Sequence, residues 1–169
     1  MPAEGHQPRT AAELIDRVQI DWAALEYVLS GLSEAQWTTP GPEGWSVKDH
    51  LAHIADWERM LVAVLGRRPE HEGFGLPPPL PEDIDVLNDI LYRRSRGLSI
   101  EEVQDVSRRA HAEVLAALHH LSDADLRTSV AGYGGDPGDD RPLLDKIAAN
   151  TYAHYAEHTG WINDLLRSR

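Results

Sequence analysis

GWSVKDHLAHIADWERM, residues 44–60, is the stretch on which the fold turns. Ser46 followed by Asp49, with Trp45 just ahead, has the form of a helix start. The serine oxygen accepts from a free amide in the first turn, and the acid suits the positive end of the helix dipole. At about 100° per residue, Val47, Ile54, Leu61 and Leu65 fall on one arc, while Lys48, Asp49, Asp56 and Arg59 mark the other. The spacing therefore predicts a helix from Ser46 to about Gly66 with a core-facing side. His50 is central to that side, and His53 lies on its flank with Met60 and Val64.

Working outward, each flanking segment repeats the pattern. Thr10 and Glu13 open a first helix that reaches about Gly31, with Leu14, Val18, Trp22, Leu25, Val28 and Leu29 at helical spacing. GRRPEHEGFGLPPPLP, residues 66–81, reads as a crossing loop that covers part of the bundle, because its prolines lack amide donors and its glycines favour turns. A third helical stretch from near Glu82 to about Leu121 is interrupted at RGLS, where Ser99 and Glu102 form another capping pair. The fourth follows AGYGGDPGDDRP and runs from about Leu143 to Leu166. LSEAQW at 32–37 and LSDADL at 121–126 are a weak internal echo, each following a long helix. No run alternates as a strand would, so the expected fold is all-α, a four-helix bundle with long connecting loops. The chain reads as one domain over 1–169, with residues 1–9 as a flexible N-terminus.

Composition narrows the function. The chain has 169 residues, with 28 acidic against 16 basic side chains and a formal charge of −12. That sign disfavours a broad contact with nucleic acid phosphates or anionic lipids, so neither nucleic acid nor a membrane is expected as a partner. The absence of cysteine rules out disulfides, thiolate metal sites and a cysteine nucleophile. The start MPAEGHQPRT is unlike a secretory signal and no apolar run approaches a membrane span, which points to a cytoplasmic protein.

The last helix carries TYAHYAEHTG, residues 151–160. Asp145, Lys146, Asn150, Glu157, Asn163, Asp164 and Arg167 share one arc. His154 and His158 fall on the opposite arc with Ile147, Tyr155, Ile162 and Leu165, so both face inward. Imidazoles four residues apart stack on one face and can reach a common metal ion; the alternative is a packed core with a hydroxyl or water partner. The HExxH motif of zinc hydrolases is absent, because Tyr155 follows His154. By periodicity alone His50 and His53 are both open as a third ligand. His119 and His120 suit the negative end of the third helix as solvated side chains, with His111 on the same stretch. Arg93, Arg94 and Arg96 form the one basic cluster, either a solvated face or donors to an anionic thiol or carboxylate. The glycine-rich loop at 132–138 lacks the ending of a phosphate loop.

GWSVKDHLAHIADWE resembles the start of the second helix in the DinB-like superfamily of four-helix bundles, and TYAHYAEHTGWI resembles that superfamily's last-helix HxxxH. PEDIDVLNDILYRRSRGLSIEEV is similar, more loosely, to the subgroup near the ClbS/DfsB proteins. The resemblance implies His53, His154 and His158 as metal ligands, with His50 as their neighbour. It implies a divalent metal, zinc or nickel, with a position open to a small-molecule substrate. It further implies a transferase or isomerase using a low-molecular-weight thiol such as mycothiol or bacillithiol, and a possible homodimer. The alternatives are a metal-dependent hydrolase and a non-enzymatic small-molecule-binding or protective protein of the ClbS/DfsB kind. Glu58 and Tyr155, within a turn of these ligands, are candidates to orient an imidazole or handle a proton, and Asn88 is a candidate to line the same pocket.

Overall fold

In the computed structural model, which describes residues 7–168, the expected helix starts all form. The Ser46 hydroxyl accepts from Asp49 N at 3.3 Å while Asp49 Oδ2 accepts from Ser46 N at 2.8 Å, and Ser99 and Glu102 repeat this reciprocal arrangement. Thr10 Oγ1 caps Glu13 N at 3.2 Å, but the Glu13 carboxylate reaches back to Arg9 N rather than to Thr10. The helices opened this way are α1 (Ala11–Leu29), α3 (Val47–Leu65) and α6 (Ile100–Leu118). The two echo segments become short helices of the same construction, α2 (Glu34–Thr38) capped by Ser33 and α7 (Asp123–Arg127) capped by Ser122. The crossing loop holds one helical turn, α4 (Glu70–Phe74), before α5 (Ile84–Ser95). After α8 (Val130–Tyr133) the chain enters α9 (Leu143–Asn150) and α10 (Tyr152–Arg167). The fold is all-α, and the described residues contain no strand. Among them no helix is long and apolar enough to cross a membrane. Residues 1–6 of the expected flexible N-terminus lie outside the described residues; Pro8 is buried.

Helix α3 is the hub. It packs against α4, α5, α6, α9 and α10, and α1 closes the bundle against α10. Leu14, Val18 and Leu25 of α1, Ile54 and Leu61 of α3, Val114 and Leu118 of α6, and Ile147 and Ile162 of the last pair fill the main core. A second cluster of Met60, Val64, Phe74, Leu87 and Leu91 joins α3 to α4 and α5. Gly73 lets α4 lie directly on α3, since a Cβ there would sit 2.4 Å from Met60 Cα.

This wrapping corrects two helical-wheel expectations. Asp49 and Asp56 were assigned to the outer arc, yet both are buried, because a helix surrounded on all sides has no outer arc. Asp49 is absorbed by the Ser46 cap, and Asp56 accepts from Arg94 Nη2 at 2.7 Å as α5 folds over it. Burial raises the Asp56 pKa above its ordinary value, and Arg94 and Arg59 partly offset this. In the last helix, Lys146 and Asn150 are buried although the wheel placed them outside. The chain leaves helical geometry at Thr151 (φ −133°, ψ −111°), so α9 and α10 do not share one continuous wheel. Lys146 Nζ there meets Glu70 Oε1 at 2.5 Å.

One buried polar cluster ties the four long elements together. Tyr155 of α10 donates its hydroxyl to Glu58 Oε1 of α3, and His111 Nδ1 of α6 lies 3.3 Å from both oxygens. Trp22 of α1 stacks on the His111 ring at 4.0 Å with planes 7° apart. Burial raises the pKa of the Glu58 carboxyl, and that of the Tyr155 phenol rises well above its ordinary value, by burial first and then by Glu58.

Candidate metal centre

The Ser46 cap fixes where the α3 register begins, which puts His50 and His53 in its first two turns facing α10. On α10, His154 and His158 meet edge to face, with ring centroids 4.5 Å apart and planes 89° apart. The two helices bring His53 Nε2 to 3.2 Å from His154 Nε2, and the His53 and His158 centroids to 4.9 Å. His53, His154 and His158 each offer one nitrogen, and these lie within 4.8 Å of one another. His50 Nδ1 sits 2.9 Å from His158 Nδ1, so one ring donates and the other accepts. His50 is thus a direct partner of a triad member.

The donor set fits a divalent ion. With zinc–imidazole bonds of ~2.0–2.1 Å, the edge of a coordination tetrahedron is ~3.3 Å, close to the His53–His154 separation. The same separation also serves an N–H···N hydrogen bond between neutral rings. Among the described residues nothing hydrogen-bonds Nδ1 of His53 or of His154, so no protein group there supplies the orienting hydrogen bond common behind metal-bound imidazoles. Ring packing holds His53 instead, between Trp45 at 5.1 Å and Trp57 at 5.9 Å.

Four adjacent, largely buried imidazoles stay neutral at pH 7. Burial lowers the pKa of His50 and His154 to about 4, and of His53 to about 3 with help from His154 and His50. His158 is lowered furthest, by burial and then by the other three rings. Neutral rings present the lone pairs that ligation needs, without a proton to displace at pH 7.

All four histidines line one cavity of about 640 Å³. Asn88 lines it too, and its Oδ1 accepts from Trp57 Nε1 at 3.2 Å. Glu58 and Tyr155 do not line it, being engaged with each other and His111 deeper in the bundle. His111, treated from sequence as one more polar residue of its helix, is buried at the centre of that cluster; its spacing from Val103, Ala110, Val114 and Leu118 was the available signal. His119 and His120 are exposed. The arginine cluster is not at the site: Arg93 pairs with Asp89, and Arg94 is spent on Asp56 and the Phe74 carbonyl.

An all-α bundle in which two crossing helices bring three imidazoles to an open cavity defines a histidine-centred helical-bundle protein. The chain belongs to the DinB superfamily, whose family model matches residues 17–167. Solved structures share the fold. The colibactin self-resistance protein ClbS, solved in complex with a dsDNA, superposes with a TM-score of 0.74 at 18% identity, covering 95% of this chain and 98% of its own. The sibling lethal factor precursor DfsB gives 0.74 at 18% identity, covering 94% and 96%. An uncharacterised Escherichia coli UTI89 protein gives 0.73 at 20% identity, covering 95% of each chain. No curated protein matches the chain.

The ClbS complex corrects one expectation. Net charge was taken to disfavour nucleic acid, and none was expected as a partner, but a protein with this fold has been solved with duplex DNA. Charge summed over a chain does not describe any single face, and a duplex contact needs only a local one.

Proposed function

We propose that His53, His154 and His158 hold one divalent metal ion and that the protein is a metal-dependent enzyme acting on a small molecule in the adjoining cavity. The observation that carries this is the convergence of three neutral imidazoles, from two helices, on a cavity large enough for a substrate. Bound there, a divalent ion would supply Lewis-acid polarisation of a substrate or activation of a nucleophile. The chain's own contributions are different. His50 holds the His158 ring, Trp45 and Trp57 hold His53, and Asn88 offers the cavity a side-chain amide whose oxygen is fixed by Trp57. Transfer of a low-molecular-weight thiol to an electrophile is the first reaction to try, and hydrolysis the second. The chain has no thiol of its own, so that nucleophile must enter from solution.

Elemental analysis of untagged protein tests the site, with zinc and nickel offered separately. About one metal per chain is expected, and none in the H154A/H158A variant. A metal-free wild type that gains no thermal stability on zinc or nickel addition would sink the proposal. If metal binds, turnover of thiol and electrophile panels that vanishes with a chelator and returns with metal would support the enzymatic reading; no such turnover would refute it.

A further inference from the structure

The walls of the same cavity carry a second message. Glu43, Asp85, Glu157 and Asp164 line it, and among the described residues no lysine or arginine does. Only Asp164 has an ion-pair partner, Arg167; the other three carboxylates form no ion pair among the described residues. Two indoles stand among these acids. Trp161 is 45% exposed although it is large and apolar, and its ring lies 4.7 Å from that of His158. Trp45, half-buried, is held by Tyr92, stacked at 6.0 Å with planes 6° apart. Unpaired carboxylates raise the local concentration of cations, and an indole face attracts a cation through its quadrupole. The same field repels carboxylate and phosphate groups.

We infer that this cavity selects an organic cation, a ligand whose ammonium group sits between the Trp45 and Trp161 faces under the field of Glu43, Asp85 and Glu157. The inference rests on the cavity being the substrate site proposed above, and it names the class of molecule the site accepts. A polyanionic thiol would enter only against the field.

Benzyltrimethylammonium is the probe, because it carries the charge yet cannot coordinate a metal, so its binding reads the rim and not the histidines. Calorimetric titration of metal-loaded full-length protein would compare it with benzyl alcohol and phenylacetate. It should bind roughly tenfold tighter than the alcohol, and phenylacetate more weakly still, with the advantage shrinking as salt rises. D85N/E157Q should bring the cation and the alcohol within about threefold, W161L should weaken the cation more than the alcohol, and the distant pair D16N/E113Q should change neither. Equal binding of all three ligands in wild type would overturn the inference. So would D16N/E113Q matching D85N/E157Q, which would assign the effect to overall charge. Metal content is measured in parallel: if D85N/E157Q loses an equivalent of metal and wild type has no charge preference, the rim binds metal and the inference falls. If wild type proves to hold no metal, even with zinc or nickel added, while the cation preference persists, the metal proposal fails and this inference stands.

Discussion

Lowering the pH of the metal-free protein from 7.5 to 5.5 should destabilise it through the four histidines. In the unfolded chain each imidazole takes up a proton near 6.5, whereas in the fold His50 and His154 resist until about 4 and His53 until about 3, with His158 lower still. The unfolded state thus binds more protons over this window, so the stabilisation present above 6.5 is lost as pH falls. Each ring contributes about 1.4 kcal/mol over that change, and four give an upper figure of about 5 kcal/mol. For a chain of this size that is about 10–20 °C in Tm. Glu58 and Asp56, whose pKa values are raised, act in the opposite sense, and so does relief of the negative net charge. The decisive quantity is therefore a difference. H53N/H154N removes two of the four rings and should lose about 3 kcal/mol less than wild type between the two pH values, read by urea denaturation in chelator. An equal pH response in the two proteins would refute the reasoning, because the imidazoles would then be hydrated rather than held neutral.

Three other outcomes follow from specific contacts. H50A should keep about one metal per chain but bind it about 10–100-fold more weakly, measured by competition with a chromogenic chelator, since His158 loses its Nδ1 partner. Y155F removes the hydroxyl donated to buried Glu58; it should cost about 1–3 kcal/mol in thermal or urea unfolding while leaving metal content unchanged. G73A should cost about 1–3 kcal/mol, because the added methyl meets the α3 backbone rather than a side chain that can turn away.

Much of this was legible in one dimension because it is local. Hydroxyl-to-acid caps at Ser46 and Ser99, the break between α5 and α6, and the inward phase of His154 and His158 follow from interactions within a few residues. The all-α class follows from the same periodicity. What failed were inferences that treated each helix as having one wet side. Asp49, Asp56, Lys146 and Asn150 all carry polar groups the wheel sends outward, and all are buried by elements distant in sequence or displaced by the bend at Thr151. Glu58 and Tyr155 were read as neighbours of the imidazoles because they are close along the chain. Helix geometry instead turns them toward His111 and Trp22, away from the cavity.

The sequence by itself therefore determined the long helical stretches, the caps at Thr10, Ser46 and Ser99 and the two pairs of inward histidines, since each depends on spacing along a single element. Which pair members meet was decided only when α3 crossed α10. That crossing sets His53 Nε2 against His154 Nε2 and His50 against His158, a matter of how two rigid helices pack and not of any residue's identity. The acidic, aromatic mouth of the cavity was likewise invisible beforehand, because Glu43, Asp85, Glu157 and Trp161 come from three separate parts of the chain and become neighbours only in the folded bundle.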